Sequence, residues 1–406
     1  MFTRDHFDRL VRYNERYGNR YFVVGSNRII FRNYVGVIQV GNLTIEILPK
    51  ADKISESTIE KQKWQEVLID MLRQSGLIRL ESMSDAKLRL KSASLLDIYF
   101  ESFLSEVEDL VHQGLIRRYY QVSGNYFTLK GRIVFPRHLA ENMINRERFF
   151  ISQMFYGRNN KFNQILRVAL NVLQRTSTNG YLVAHARSIA TYFEAIDKVE
   201  ITGSTFDNLV YARNTESYRK AIQFARLIIL NYSPDVQYGR NNVLAILFDM
   251  NLLFERFIYG QLKREEARQD EHLITFKAQV SRQFWSAAGM QKMIRPDIIA
   301  NIGTGGNKQK VIIDTKWKIP GNGRPNDADL RQIYTYNVQF GASRGLLVYP
   351  RIASMTDVQG TFVQGKAIQP SFNNGCSMIF LELLNGDKLR RELGKDIITI
   401  LLNSLN

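Results

Sequence analysis

The stretch Arg295-Pro-Asp297-Ile-Ile-Ala-Asn-Ile, then Gly303-Thr-Gly-Gly-Asn-Lys-Gln, then Lys310-Val-Ile-Ile-Asp314-Thr-Lys316-Trp-Lys318, constrains the fold more than any other part of the chain. Two β-branched runs flank a turn rich in Gly and Asn, so they are predicted to pair as a hairpin. Asp297 enters one strand and Asp314 leaves the other, which lets their carboxylates converge. Side chains alternate along a strand, so Asp314 and Lys316 share a face. A helix is predicted before this hairpin, from Val243 to about Arg268, with further strands over 283–287, 292–302 and 310–319. A helix over 328–340 and strands over 345–349 and 377–383 follow. Helix, hairpin, helix, strand is an α/β order.

Upstream, the short runs Tyr21-Phe-Val-Val, Arg28-Ile-Ile-Phe, Tyr34-Val-Gly-Val-Ile-Gln-Val and Leu43-Thr-Ile-Glu-Ile-Leu-Pro49 read as strands. Residues 56–118 change period: Trp64, Val67, Leu68, Met71 and Leu72, then Leu95, Ile98, Tyr99, Phe103, Val107 and Leu110, fall on helical stripes. A second β element is predicted over 119–135, ended by Pro136, and helices over 160–230. Ser233-Pro-Asp235 and Tyr238-Gly-Arg240 make the most turn-rich stretch. The chain of 406 residues is therefore divided there, a length that fits about two or three domains. The expectation is a mixed α/β protein: residues 1–240 β-rich and helical, residues 241–406 an α/β domain.

Charge narrows the partner class. The 55 Lys and Arg against 39 Asp and Glu leave a net charge of +16, which favours a polyanion, most simply nucleic acid. Arg117-Arg-Tyr-Tyr120 and Arg146-Glu-Arg-Phe-Phe150 mix cations with aromatics, as a nucleic-acid surface would, or as solvated element ends with aromatics turned inward would. The single cysteine, Cys376, excludes an internal disulfide framework. Five scattered histidines give no zinc spacing. The charged start Met1-Phe-Thr-Arg-Asp-His does not suit a signal peptide, and no apolar run reaches the ~18 residues of a membrane span, so a cytoplasmic protein is expected.

Two carboxylates and an ammonium on one sheet edge suit divalent-metal hydrolysis of a phosphodiester. The acids offer hard oxygens to Mg²⁺, and the lysine orients water or offsets charge on the phosphoryl group. An isolated D-x-K is more often a strand end with a solvated lysine. Here the apolar run Val311-Ile-Ile313 delivers the pair from a core strand, with a Pro-Asp upstream. Glu255 lies four residues after Asn251, on one helical face, where it either reaches the metal or marks the border of an apolar stripe. Gln332 and Tyr336 share a face by the same spacing and either contact the lysine or a phosphate, or cap a core.

Pro296-Asp297, Asp314-Thr-Lys316 and helical Glu255 resemble the PD-(D/E)xK nuclease core, with Gln332 and Tyr336 in place of its QxxxY helix. Met250-Asn-Leu-Leu-Phe-Glu255-Arg-Phe, Arg295-Pro-Asp, Ile313-Asp-Thr-Lys-Trp-Lys318, Gln332-Ile-Tyr-Thr-Tyr336 and Leu346-Leu-Val-Tyr-Pro350 resemble the McrC family in that order. Val35-Gly-Val-Ile-Gln, Leu43-Thr-Ile-Glu-Ile-Leu-Pro-Lys50, Lys130-Gly-Arg-Ile133 and Asn159-Asn-Lys-Phe-Asn-Gln-Ile-Leu166 are similar to its N-terminal segments. The resemblance implies the nuclease subunit of a restriction system directed at modified cytosine. Asp297, Asp314 and Lys316 would be catalytic, Asp297, Asp314 and Glu255 would hold Mg²⁺, and Gln332, Tyr336 and Lys318 would support them. It also implies a McrB-like AAA+ GTPase hexamer as partner, docked by residues 1–240 and stimulated by this chain, with modified double-stranded DNA as substrate. No G-x-x-x-x-G-K-[ST] occurs here, so GTP would be bound by the partner. Dimerisation of the chain is one way in which both strands could be cut, and the sequence leaves it open. A stand-alone repair or recombination nuclease and a non-catalytic docking subunit are the competing readings.

Overall fold

The structure is a computed structural model that describes residues 2–26, 28–50, 58–76, 94–233, 242–269, 273–303, 309–351, 355–363 and 374–403. Helix Arg4–Arg16, started by a Thr3 cap, precedes strands β1 (Phe22–Gly25), β2 (Arg28–Phe31), β3 (Tyr34–Val40) and β4 (Leu43–Ile47). The four strands stand where the sequence places them. Helices Thr58–Gln74 and Leu95–Gln113 follow, then β5 (Arg118–Tyr126), β6 (Arg132–Ile133) and β7 (Phe149–Gly157), paired in the order β5-β7-β6. Pro136 does not merely end this β element. It sits in the first turn of helix Phe135–Asn142, where its missing N–H costs nothing. Strand β7 was not expected. Arg118 and Arg148 lie over the rings of Phe162 and Phe127, 5.0 and 4.7 Å from their centres, so part of the basic and aromatic mixture is engaged in contacts within the chain, the second of them at the surface.

Helices Lys161–Thr176, Gly180–Ala190 and Arg219–Leu230 form the expected helical stretch, followed by β8 (Tyr232–Ser233). The turn at 234–241 lies outside the described residues. The helix expected from Val243 is corrected: Val243–Asp249 is strand β9, and the helix runs over Met250–Glu266. Val243-Leu-Ala-Ile-Leu-Phe is apolar throughout, so its pattern cannot separate strand from helix. Pairing decides it, because β9 fits between β3 and β8 in the sheet β4-β3-β9-β8. The approach is close at Gly36, where φ is +136° and a Cβ would meet Ile246 O at 2.1 Å. The N-terminal sheet thus takes a strand from beyond residue 240.

The remaining strands are β10 (Ile274–Ala278), β11 (Arg282–Ala287), β12 (Met290–Ile294), β13 (Ile298–Ile302), β14 (Gln309–Thr315), β15 (Arg344–Pro350), β16 (Val358–Thr361), β17 (Gly375–Leu381) and the short pair β18 (Leu384–Asn385) and β19 (Lys388–Leu389). Six form a mixed sheet in the order β10-β13-β14-β15-β17-β16. β13 and β14 pair antiparallel as expected, and β14, β15 and β17 run parallel. Residues 304–308 of the connecting turn lie outside the described residues. Helix Asp327–Phe340 makes the crossover from β14 to β15 and is ended by Gly341 at φ +65°.

Alternation sorts the sheet's two faces. Ile298, Ala300, Val311, Ile313, Leu346 and Val348 are buried in one cluster with Phe254, Phe257 and Ile258 of helix Met250–Glu266. Ile299, Ile312, Leu347 and Tyr349 are buried in another with Ile333, Tyr336 and Phe340 of helix Asp327–Phe340. The first cluster continues into the helices around Leu68, Phe103 and Leu166, so one core spans the N- and C-terminal parts. No helix among the described residues is long and apolar enough to cross a membrane.

Candidate active site

Strand register brings the two acids together. Ile298 pairs with Ile313, which sets Asp297 across from Asp314 one step further on. Both share the parity of Ile299 and Ile312, hence the face covered by helix Asp327–Phe340. Asp297 accepts from Thr315 N at 2.8 Å and from Thr315 Oγ1 at 2.9 Å. Asp314 is 1% exposed. Lys316 Nζ stands 2.6 Å from its Oδ2 as an ion pair. At that distance the ammonium makes a charge-assisted contact, and no backbone N–H or hydroxyl among the described residues donates to either oxygen.

Lys316 is held from its other side. Its Nζ donates to Gln332 Oε1 at 3.0 Å, Gln332 Nε2 donates to Tyr336 Oη at 2.9 Å, and Tyr336 Oη donates to the Arg295 carbonyl at 3.2 Å. The contacts therefore run from Asp314 through the lysine and the helix back to the segment that carries Asp297. Helix Asp327–Phe340 sits close enough for this because residue 345 is glycine: a Cβ there would lie 2.3 Å from Ile333 Cγ2.

Glu255 comes from the opposite layer. It is buried and accepts a short hydrogen bond from Gln279, whose own N–H donates to the Asp297 carbonyl at 3.0 Å. Lys318 points elsewhere and pairs at 2.5 Å with buried Asp329, which also accepts from Tyr349 Oη at 3.2 Å. The structure thus gathers Asp297, Asp314, Lys316, Gln332 and Tyr336, keeps Glu255 within electrostatic reach of Asp297, and sets Lys318 on a neighbouring pair. Thr315, Gln279 and Asp329 were given no role in the sequence reading. Thr315, lying between Asp314 and Lys316, was the one with a visible signal.

Burial and then Asp297 raise the Asp314 carboxyl, with Lys316 opposing. Burial raises Asp297 too, against the Thr315 bonds and Lys316. Burial followed by Asp297 pushes Glu255 up to about 7. Burial works against the charge of Lys316, yet Asp314, Asp297 and Asp329 together hold its pKa above the ordinary value. Burial is the largest cause at all three carboxyls, and the charge of Asp297 adds to it at Asp314 and Glu255. No group of three His, Cys, Asp or Glu side chains among the described residues is close enough to hold a metal by itself. Asp297 and Asp314, the latter buried and paired with Lys316, offer carboxylate oxygens that fit a hard divalent cation that keeps much of its water.

A family model described as "McrBC 5-methylcytosine restriction system component" matches residues 29–350. A curated relative, the type IV methyl-directed restriction enzyme EcoKMcrBC of Escherichia coli K12, is 22% identical over 298 residues, covering 67% of this chain and 82% of the relative. A solved chain from a refined half-complex of a tetradecameric assembly of Thermococcus gammatolerans McrB AAA+ hexamers with bound McrC matches with a TM-score of 0.64. It is 18% identical and covers 98% of this chain and 90% of that one, a likeness of fold.

Proposed function

The chain belongs to the family of McrBC 5-methylcytosine restriction system components, and on that premise we propose that it is the Mg²⁺-dependent DNA endonuclease subunit of a GTP-dependent complex directed at modified cytosine. The observation that carries the reading is Asp297 facing Asp314, both raised by burial, with Lys316 paired to the second. The six-stranded sheet between helices Met250–Glu266 and Asp327–Phe340 is read as the PD-(D/E)xK core. Asp297 and Asp314 would hold Mg²⁺, with Glu255 as an outer-shell carboxylate. Mg²⁺, when bound, supplies Lewis-acid polarisation of the phosphoryl oxygens. Lys316 orients the attacking water and offsets charge as the phosphorus becomes pentavalent. Gln332 and Tyr336 fix the lysine's position, and Lys318, steadied by Asp329, faces a DNA phosphate.

The N-terminal part is the docking region for a McrB-like AAA+ GTPase hexamer, whose hydrolysis this chain stimulates. Support comes from the β5-β7-β6 sheet and helix Phe135–Asn142, where Tyr119, Phe135, Met143, Ile144, Met154 and Tyr156 are all exposed. Exposed apolar side chains at that density mark an interaction surface. Because β9 completes the N-terminal sheet, the division of roles falls after Asp249 rather than at residue 240.

The test is cleavage of cytosine-methylated and unmethylated plasmid in Mg²⁺, with and without the cognate AAA+ protein and GTP, beside Asp314→Ala. Cutting that needs methylation, partner and GTP and is lost in the variant supports the reading. Cutting that ignores GTP points to a stand-alone nuclease. GTPase stimulation without cutting under any condition leaves a docking subunit.

A further inference from the structure

Among the described residues, strands β11 and β12 pair only with each other, outside the six-stranded sheet, and the chain returns from them directly into Arg295-Pro-Asp297. Every residue of β11 is exposed, as are Met290 to Met293 of β12. Phe284, Trp285, Met290 and Met293 are each about half exposed or more. Such a ribbon does not bury enough apolar surface to justify these side chains within the chain itself.

Register shows how the ribbon is presented. Arg282 pairs with Ile294, Trp285 with Lys292 and Ala287 with Met290, so these residues share one face. At the base that face is tied down: Arg282 donates to the Gln339 carbonyl at the end of helix Asp327–Phe340, and Ile294 packs on the core beneath. Further out, beyond a bulge at Phe284, the same face carries Trp285, Lys292 and Met290 in the open. A second tie lies at the foot of the ribbon, where Gln279, at φ +55°, bonds through its N–H to the Asp297 carbonyl and through its side chain to Glu255. The ribbon is therefore anchored on the same segment as the two acids.

Charge indicates the occupant. From Leu273 to Pro296 the chain carries Lys277, Arg282, Lys292 and Arg295 and no Asp or Glu. A carboxylate-free, aromatic-bearing ribbon next to paired acids complements a polyanion with stacked bases. A two-stranded ribbon also fits a duplex groove by size. We propose that the β11–β12 hairpin is a DNA-binding arm that lies in a groove of the duplex beside the phosphate to be cut, with Trp285 against the bases or sugars and Lys292 on the backbone. The inference rests on the nuclease reading and adds to it where the duplex lies.

The experiment measures binding of the full chain to a labelled DNA duplex by fluorescence anisotropy in Mg²⁺-free buffer, as a function of salt. Trp285→Ala should weaken binding about tenfold or more, the range of one lost buried aromatic contact. Lys292→Ala should lower the slope of log affinity against log salt by about one. Both variants should melt with the unaltered protein, because the side chains are exposed. Tryptophan emission should change on adding duplex and stay nearly constant in Trp285→Phe, since Trp64 is buried and Trp317 packs on the core. Duplex binding that is the same in all variants would overturn the arm and leave the nuclease reading standing. No duplex binding by the unaltered chain would overturn the arm, while the nuclease reading stands or falls by the plasmid cleavage assay with the partner and GTP. A dimer lost in Trp285→Ala, with DNA affinity unchanged, would assign the ribbon to a second copy of the chain and so overturn the proposal.

Discussion

Replacing Asp314 by Asn should make the protein more stable and nearly inactive at once. The side chain is 1% exposed, Lys316 Nζ stands 2.6 Å from its Oδ2, and Asp297 stands across from it. Holding an ionised carboxylate there costs several kcal/mol of desolvation. Repulsion by Asp297 adds to that cost and attraction by Lys316 reduces it. The carboxyl is raised, so the first two outweigh the third. An amide of the same shape removes the cost but leaves Lys316 with Gln332 as its remaining close contact. The net gain is about 1–3 kcal/mol. Its sign with pH follows from linkage. An acid whose pKa is raised on folding stabilises the fold only while protonated, so native stability falls as pH climbs from the unfolded value towards the folded one. The advantage of Asn is therefore absent near pH 4 and full near pH 8. At about 1 °C per kcal/mol for a chain of 406 residues, the variant should melt about 1–4 °C higher at pH 8 without Mg²⁺. Adding Mg²⁺ should reverse the order, because only the unaltered protein gains binding energy. Plasmid cleavage with the partner and GTP should drop about a thousandfold. Calorimetry at both pH values with and without Mg²⁺, beside the cleavage assay, reads all of this. A variant less stable than its parent at pH 8, or an equal Mg²⁺ shift in both proteins, would refute the reasoning.

Tyr336→Phe removes the hydroxyl that joins Gln332 to the Arg295 carbonyl. Turnover should fall about tenfold with little change in KM, as a loosened Lys316 requires, and a KM effect alone would contradict that role. Gly345→Ala puts a methyl 2.3 Å from Ile333 Cγ2 in a closed core. Denaturant titration should show a loss of about 1–3 kcal/mol, and cleavage should fall with it as the helix bearing Gln332 is pushed out. Gly36→Ala collides with Ile246 O in a backbone conformation that favours glycine, and should cost about 2 kcal/mol or more. That loss should be accompanied by faster amide exchange in β3 and β9. Lys318→Ala should raise KM for DNA and leave turnover near normal, which steady-state kinetics at two salt concentrations would separate.

Local pattern determined much of this protein. Period two in Ile298–Ile302 and Gln309–Thr315 set a hairpin, and the same period put Asp314 and Lys316 on one face. Spacing of four placed Gln332 and Tyr336 together on a helix that begins within one residue of its expected start. These features are fixed by neighbours a few residues away, so a sequence read locally contains them. The strand at Val243–Asp249 was misread because its partner, β3, lies some two hundred positions earlier, and an apolar run buried on both faces has no period to reveal it. The use of Gln279 against Glu255, and of Asp329 against Lys318 and Tyr349, was likewise invisible. Which polar groups satisfy one another is decided by which elements pack together, and that packing is set by burial summed over the whole core. The sequence determined which residues are able to do the chemistry, and the tertiary structure decided which of them meet.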